Sequence, residues 1–306
     1  MDWTHRLRLR QLQVLLNLSQ TRNISHSAEQ LHISQPALSK WLKEFEADIG
    51  LPLFERHARG LRPTAYGEIL NSFASRIGGE LDRARDEMAA LRSGSAGRAV
   101  IGATGATIAS VVPQAVRAAL DAMPNASIEI REAPMDTLYQ QLTQGEIDIA
   151  VGRFSTKYHD TAICSERLYE DRLRFAVRPK HRLVQRRNIS VSDVLSHRWV
   201  VWTRDIPARE VLENSLAAVG LAVPRDTVQS NSLLATIALV VDSDMIAVVA
   251  ERAIELPGRT RVLRALPVTL QTKSSLNMYW RKDRTSNAVQ ILLDALRTIS
   301  AASKTQ

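Results

Sequence analysis

Ser27-Ala28-Glu29-Gln30-Leu31-His32-Ile33-Ser34-Gln35-Pro36-Ala37-Leu38-Ser39-Lys40 decides the fold of the N-terminal region. A helix opening near Ser25, a plausible N-cap, ends by His32. A second opens at Ser34, whose hydroxyl suits an N-cap. Pro36 falls in its first turn, where a missing N–H costs nothing. Two short helices joined tightly at Ile33 make a helix-turn-helix. At about 100° per residue, Leu38, Leu42, Phe45 and Ile49 share one stripe, which reads as core. Pro36, Ser39, Lys40 and Lys43 fall opposite, with Gln35 at the tip. Such a face is either an ordinary solvated helix surface or one that enters a major groove, where Gln pairs with adenine, Ser donates or accepts, and Lys reaches phosphate or guanine; the segment that follows decides between them.

Working outward, a helix over Leu9–Thr21 precedes this unit. After it, Leu51–Thr64 has apolar anchors around a basic, glycine-containing turn with Arg56, Arg59 and Arg62, the pattern of a β-hairpin wing. Those arginines suit the phosphates beside the groove. A long helix then runs from Thr64 to about Arg92. Leu70, Ala74, Ile77, Leu81, Ala84, Met88 and Leu91 alternate in steps of four and three, a heptad seam that either packs on its own domain or pairs with a second helix, and its length favours pairing. Gly78 and Gly79 weaken that helix by about 1 kcal/mol each. Ser93-Gly94-Ser95-Ala96-Gly97 reads as a flexible linker.

The 306 residues suggest two domains, and 45% hydrophobic content supplies ordinary cores. The formal charge of +8 fits a polyanionic partner, but only nine basic and six acidic residues lie within 1–65, so charge does not localise the site. One cysteine, Cys164, excludes an intrachain disulfide and suits a reducing compartment. The charged start, Met1–Arg6, lacks a signal-peptide core, and Asp242 and Asp244 interrupt the most apolar run. A cytoplasmic protein without a membrane partner is expected. The seven histidines lack metal-ligand spacing, and no nucleophile elbow or phosphate loop appears, which argues against an enzyme and against a metal or cofactor site.

Beyond the linker, helices alternate with apolar runs, the pattern of an α/β domain. Strands are expected at Arg98–Thr104, Ser127–Glu132, Ile147–Gly152, Leu173–Arg178, Trp199–Thr203, Met245–Ala250 and Met278–Arg281. Helices are expected near Thr107–Met123, Met135–Gln144, Ala208–Val219, Leu233–Val241 and Asn287–Ile299. Ligands of such sheets sit at strand carboxyl ends and helix starts. That nominates Thr104, Gly105, Thr107, Arg153, Trp202, Thr203, Ser230 and Asn231. Arg153 suits an anionic or sugar-like ligand through directed hydrogen bonds. The basic run from Arg167 to Arg187, interrupted by Glu170 and Asp171, reads as decoration of a solvated face.

Residues 9–68 closely resemble the DNA-binding region of the LysR-type transcriptional regulators. The matching stretches are Leu9-Arg10-Gln11-Leu12, Ser27–Lys40, Leu53-Phe54-Glu55-Arg56 and Leu61-Arg62-Pro63-Thr64-Ala65-Tyr66-Gly67. Ser27 and Trp41 depart from the family's usual pattern. The resemblance implies a winged helix-turn-helix over 1–65, a dimerisation helix over 66–92 and an effector domain over 93–306. That last domain has a two-lobed, periplasmic-binding-protein-like (type 2) fold, with lobe I at about 98–160 and 268–306 and lobe II at about 161–267. It implies DNA contacts from Ser34, Gln35, Pro36, Ser39, Lys40, Arg56 and Arg59, and pairing through Leu70, Ile77, Leu81, Met88 and Leu91. It also implies a dimer or a dimer of dimers (a homotetramer), a double-stranded operator that is bent, a small-molecule effector in the cleft, and contact with RNA polymerase. A solute-binding module without DNA regulation is the alternative, since its lobes would look alike; the N-terminal motif argues against it.

Overall fold

The structure is a computed structural model that describes residues 3–57, 60–93, 97–153, 160–254, 262–270, 272, 274–283 and 285–302. Two compact units divide the chain near Met88.

In the first unit, α1 (Leu9–Thr21) buries Leu12, Leu15 and Leu18 and ends at Arg22, whose backbone is left-handed. α2 (Ile24–Gln30) is capped by Asn23 and not by Ser25: the Asn23 carboxamide accepts from the amides of Ser25 and His26 at 2.9 and 3.2 Å. Asparagine wins because its side chain reaches two orphan amides from one extended backbone position. A left-handed His32 then turns the chain. α3 (Gln35–Ile49) starts at Ser34, whose hydroxyl accepts from the Ala37 amide at 3.3 Å, and stops at a left-handed Gly50. Its stripe of Leu38, Leu42 and Phe45 is buried.

The wing is β1 (Phe54–His57) paired antiparallel with β2 (Gly60–Pro63). Two anchors fix it. The Glu46 carboxylate of α3 accepts from the Leu53 and Phe54 amides at 2.7 and 3.0 Å. The Leu61 amide donates to the Arg22 carbonyl at 2.7 Å. Gly60, at φ +121°, passes so close to that carbonyl that a Cβ would lie 2.4 Å from it. α4 (Ala65–Ser93) begins where the Thr64 hydroxyl donates to the Pro52 carbonyl and accepts from the Gly67 amide, at 2.7 and 3.1 Å.

The second unit contains two five-stranded sheets. In chain order its elements are β3 (Arg98–Ala103), α5 (Gly105–Ile108), α6 (Val111–Ala122), β4 (Ser127–Glu132), α7 (Met135–Gln144), β5 (Ile149–Arg153), β6 (Ile163–Asp171), β7 (Leu173–Val177), α8 (Val191–Leu195), β8 (Trp199–Val201), α9 (Pro207–Ala217), β9 (Thr227–Gln229), α10 (Leu233–Val241), β10 (Ile246–Ala250), α11 (Glu251–Ile254), β11 (Arg264–Thr269), β12 (Ser274–Arg281) and α12 (Asn287–Ala302). The first sheet runs β4-β3-β5-β12-β6 and the second β11-β7-β10-β8-β9. In the first, β3 is parallel to β4 and β5, while β12 is antiparallel to β5 and β6. Apolar runs such as Ile149–Val151 and Ile246–Ala250 are wholly buried, as central strands covered on both faces require.

Two expectations change. The sheets place β6 in lobe I and β11 in lobe II, so the lobes exchange at Arg172 and again after Leu270, and not near 160 and 268. β6 joins lobe I because it pairs along its length with β12. The helix expected over Thr107–Met123 breaks at Ser110, whose backbone leaves the helical region. Pro113 would meet the Ala109 carbonyl in an unbroken helix, but is tolerated in the first turn of α6. Part of the basic run is paired: Arg167 with Glu170, Arg178 with Asp244 and Arg186 with Asp193 lie at 2.8, 2.8 and 3.0 Å.

Candidate nucleic-acid interface and effector cleft

The stripe of α3 that packs inward leaves the opposite face in solvent. Gln35, Pro36, Lys40 and Lys43 are exposed, and Ser34 is exposed while capping. The Lys40 ammonium lies 3.8 Å from the Glu44 carboxylate, an open contact that a phosphate can displace. Ser39 differs: the residue is half-buried, and its hydroxyl is covered without a hydrogen-bond partner among the described residues. Arg56 projects from β1 into solvent, as does Arg62 from β2. Arg59 lies outside the described residues. The two unusual positions face inward. The Ser27 hydroxyl is buried against that of Thr21, and Trp41 stacks on Phe45 with ring centroids 5.0 Å apart.

On α4, Ile77, Leu81, Met88 and Leu91 are exposed, with Leu91 at 85%. Leu70 is not: it packs against the core of the DNA-binding unit beside the buried Ala74. Its place is taken by Tyr66, Ile69 and Phe73, all at least half exposed. The open stripe therefore reads Tyr66, Ile69, Phe73, Ile77, Leu81, Ala84, Met88, Leu91, in heptad-like steps. The apolar face of α4 is wide enough to serve both its own core and a second surface, and only burial separates the two edges.

In the second unit, a cleft of about 450 Å³ lies between the two sheets' lobes. Lobe I contributes Thr104, Gly105, Glu132 and Arg153; lobe II contributes Trp202, Asn231 and Ser232. Five of the eight expected residues are thus brought together. Thr107 is buried and donates to the carbonyls of Thr104 and Val151, at 2.8 and 3.2 Å, so it braces β3 against β5. The Thr203 hydroxyl is covered, and Ser230 exchanges hydrogen bonds with the Ser232 backbone. Neither lines the cleft. Ser232, not Ser230 or Asn231, caps α10 by accepting from the Ala235 amide at 3.2 Å.

Arg153 ends β5 with its guanidinium 3.7 Å from the Asp171 carboxylate, which is almost fully buried at the end of β6. Burial pushes the Asp171 carboxyl above the usual carboxylate range, against the pull of Arg153. Glu132 and Ser232 were not anticipated. Glu132 ends β4, the same strand-end signal that nominates Arg153. Behind Trp202, the buried Arg209 donates to the Trp202 carbonyl at 3.1 Å and to Glu213 at 2.7 Å, fixing the loop that carries the indole.

An exposed helix face shaped for a groove, a wing beside it and a cleft between two α/β lobes define a DNA-binding regulator with an effector-binding domain. The chain belongs to the LysR family: residues 9–68 match the bacterial regulatory helix-turn-helix protein, lysR family, and residues 92–300 match the LysR substrate binding domain. It is a DNA-binding transcriptional regulator and not an enzyme. It is 28% identical to the HTH-type transcriptional regulator GbpR of Azospirillum brasilense, over 96% of this chain and 87% of that one. PcaQ of Agrobacterium fabrum is 29% identical over 95% and 94% of the two chains. The fold is similar to that of full-length CbnR, a crystal structure in complex with its target DNA. That match has a TM-score of 0.69 and 21% identity, and covers 96% of this chain and 100% of CbnR. Among the described residues, no helix is long and apolar enough to cross a membrane.

Proposed function

We propose that a small polar effector seated between the lobes controls how this regulator holds and bends its operator, with no cofactor required. One observation carries the reading: polar groups from both lobes converge on one cleft, in a chain that also presents an exposed recognition helix. A ligand touching both lobes favours one relative orientation, but only through its differential affinity for the two states. In a dimer, or a dimer of dimers, the spacing of the DNA-binding units selects the half-sites engaged, and curvature follows from that spacing. CbnR, solved on its target DNA, supports the DNA half of this reading. The protein acts in the cytoplasm and contacts RNA polymerase once the operator is bent.

The test is a footprint and a circular-permutation bend assay on the DNA flanking the protein's own gene, with each compound that calorimetry shows to bind. The footprint boundary and bend angle are expected to change more than the affinity. An unchanged boundary and angle at saturating ligand would sink the reading.

A further inference from the structure

We propose that the cleft takes a neutral, polyhydroxylated small molecule of the size of an aldose or alditol, and not an organic anion. This rests on the effector-cleft reading above and names the ligand class for that site.

The charges come first. Among the described residues lining the cleft, Arg153 is the cation, and it is already compensated by the buried Asp171 carboxylate at 3.7 Å. An anion arriving at Arg153 would have to share it with a like charge. The other charged group in the lining is Glu132. Its Oε1 lies over Gly105, 2.9 Å from where a Cβ on that residue would stand. Among the described residues, Asp171 thus offsets Arg153, and the lobe I wall presents the Glu132 carboxylate to whatever enters.

The unfilled hydrogen bonds point the same way. Arg153 Nη1 is buried without a hydrogen-bond partner among the described residues, and Asp171 Oδ2 is likewise without a donor. Arg153 lines the cleft, and Asp171 lies buried beside it, so an unfilled donor and an unfilled acceptor adjoin one end of the cleft. A hydroxyl both accepts and donates, whereas a carboxylate only accepts. Glu132 needs donors from the ligand, and the Asn231 carboxamide offers one group of each kind. Sugar hydroxyls meet all of these demands together. The remaining lining is apolar, with Met135, Ile206 and Leu233 alongside the Trp202 indole. An aromatic face beside acid and amide groups matches a sugar ring, which has C–H patches between its hydroxyls. The volume, about 450 Å³, accommodates a monosaccharide with bound water.

The experiment is isothermal titration calorimetry of the full chain without DNA. The probes are the aldohexoses, the aldopentoses and their alditols, with gluconate and benzoate as anionic probes. A neutral compound is expected to bind saturably. Glu132→Gln should weaken it about tenfold, the loss of a charge-assisted hydrogen bond, and Trp202→Leu should weaken it by at least as much. Melting curves of the free variants report that they fold, and Glu132→Gln, at an exposed residue, keeps the test open should Trp202→Leu not fold. For an anion the sign reverses, because Glu132→Gln removes a repulsion and tightens binding. Failure of every neutral compound to bind would overturn the proposal. So would binding of gluconate or benzoate that tightens in Glu132→Gln, although an acid seated there would leave the effector reading intact. Conversely, a sugar that binds in the cleft without changing the operator footprint would overturn the effector reading and leave the ligand class standing.

Discussion

Gln35 and Arg56 are expected to make two different kinds of DNA contact. Gln35 stands exposed at the tip of α3, the position from which a carboxamide would reach a base edge; Arg56 stands exposed on the wing, whose expected partner is phosphate. Gln35→Ala is expected to cost about 1–3 kcal/mol on the cognate operator and to relax base preference. Arg56→Ala should weaken all sequences alike and shallow the salt dependence by about one counterion. Gel shifts at several salt concentrations separate them, and equal losses on cognate and random DNA for Gln35→Ala would contradict the assignment. The exposure of Pro36 and Lys40 was legible because helical angle places them opposite the core stripe, and that of Gln35 because it opens the helix. The covered hydroxyl of Ser39 was not, since angle gives a direction and not the packing of neighbours. His181 and His197 were also beyond the sequence. They meet edge to face with centroids 5.1 Å apart, and His181 is fully buried. Its Nδ1 accepts from the Leu183 amide at 3.2 Å, so the uncharged ring is the form that fits. Burial holds both imidazoles below the ordinary histidine range. The unfolded chain therefore binds protons more readily, near pH 6.5. The stability these rings contribute is present above that pH and is lost as pH falls through it toward the depressed folded values. Urea midpoints should drop between pH 7.5 and 5.5, and less so in His181→Gln. An equal drop in that variant would assign the effect elsewhere.

For the elements, α4 shows what periodicity does and does not settle. Its heptad steps announced a helix with a surface to cover, but two edges of one wide apolar face look alike in sequence. The structure gives Leu70 and Ala74 to the domain's own core and leaves Phe73, Ile77 and Leu81 open. Charges at Phe73 and Ile77 would be buried between paired helices without partners. Phe73→Asp/Ile77→Asp should sediment as a monomer with its melting transition retained. Leu70→Ala should instead keep the assembly and lower the stability of the DNA-binding unit by roughly 1–3 kcal/mol, the range for a partly buried leucine. If the double variant kept the wild-type mass, the open stripe would not be the pairing surface. Other elements escaped the sequence for local reasons. β6 lies within a run rich in arginine and acid, because its alternate residues face solvent, and the short β9 holds three residues beside β8. The two strands of the hairpin wing were legible, since their apolar anchors follow directly in the chain.

At the scale of the whole molecule, the two lobes share an interlaced chain, which enters lobe II at Arg172 and returns after Leu270. Only one residue separates β6 from β7, so no linker composition marks the first crossing, and the boundary was misplaced for that reason. The same interlacing means that lobe orientation is set by short connections and by what fills the cleft. Gly105 and Leu233 face each other across it: a Cβ on Gly105 would lie 3.9 Å from that of Leu233. This separation matches the Cβ spacing of a disulfide, about 3.8 Å. The atom such a Cβ would crowd is the carboxylate end of Glu132, a flexible side chain that can move aside. Gly105→Cys/Leu233→Cys, in a Cys164→Ser background, should therefore oxidise readily and hold the lobes at their present separation. If the effector works by changing that separation, the oxidised protein has only one of the two states available to it. Its footprint on operator DNA should match one wild-type form, free or effector-bound, and should not shift when effector is added. Dithiothreitol should restore the shift, which separates locking from damage caused by the substitutions themselves. An oxidised protein, verified by thiol titration, that still moved its footprint with effector would show that the signal does not pass through the orientation of the lobes.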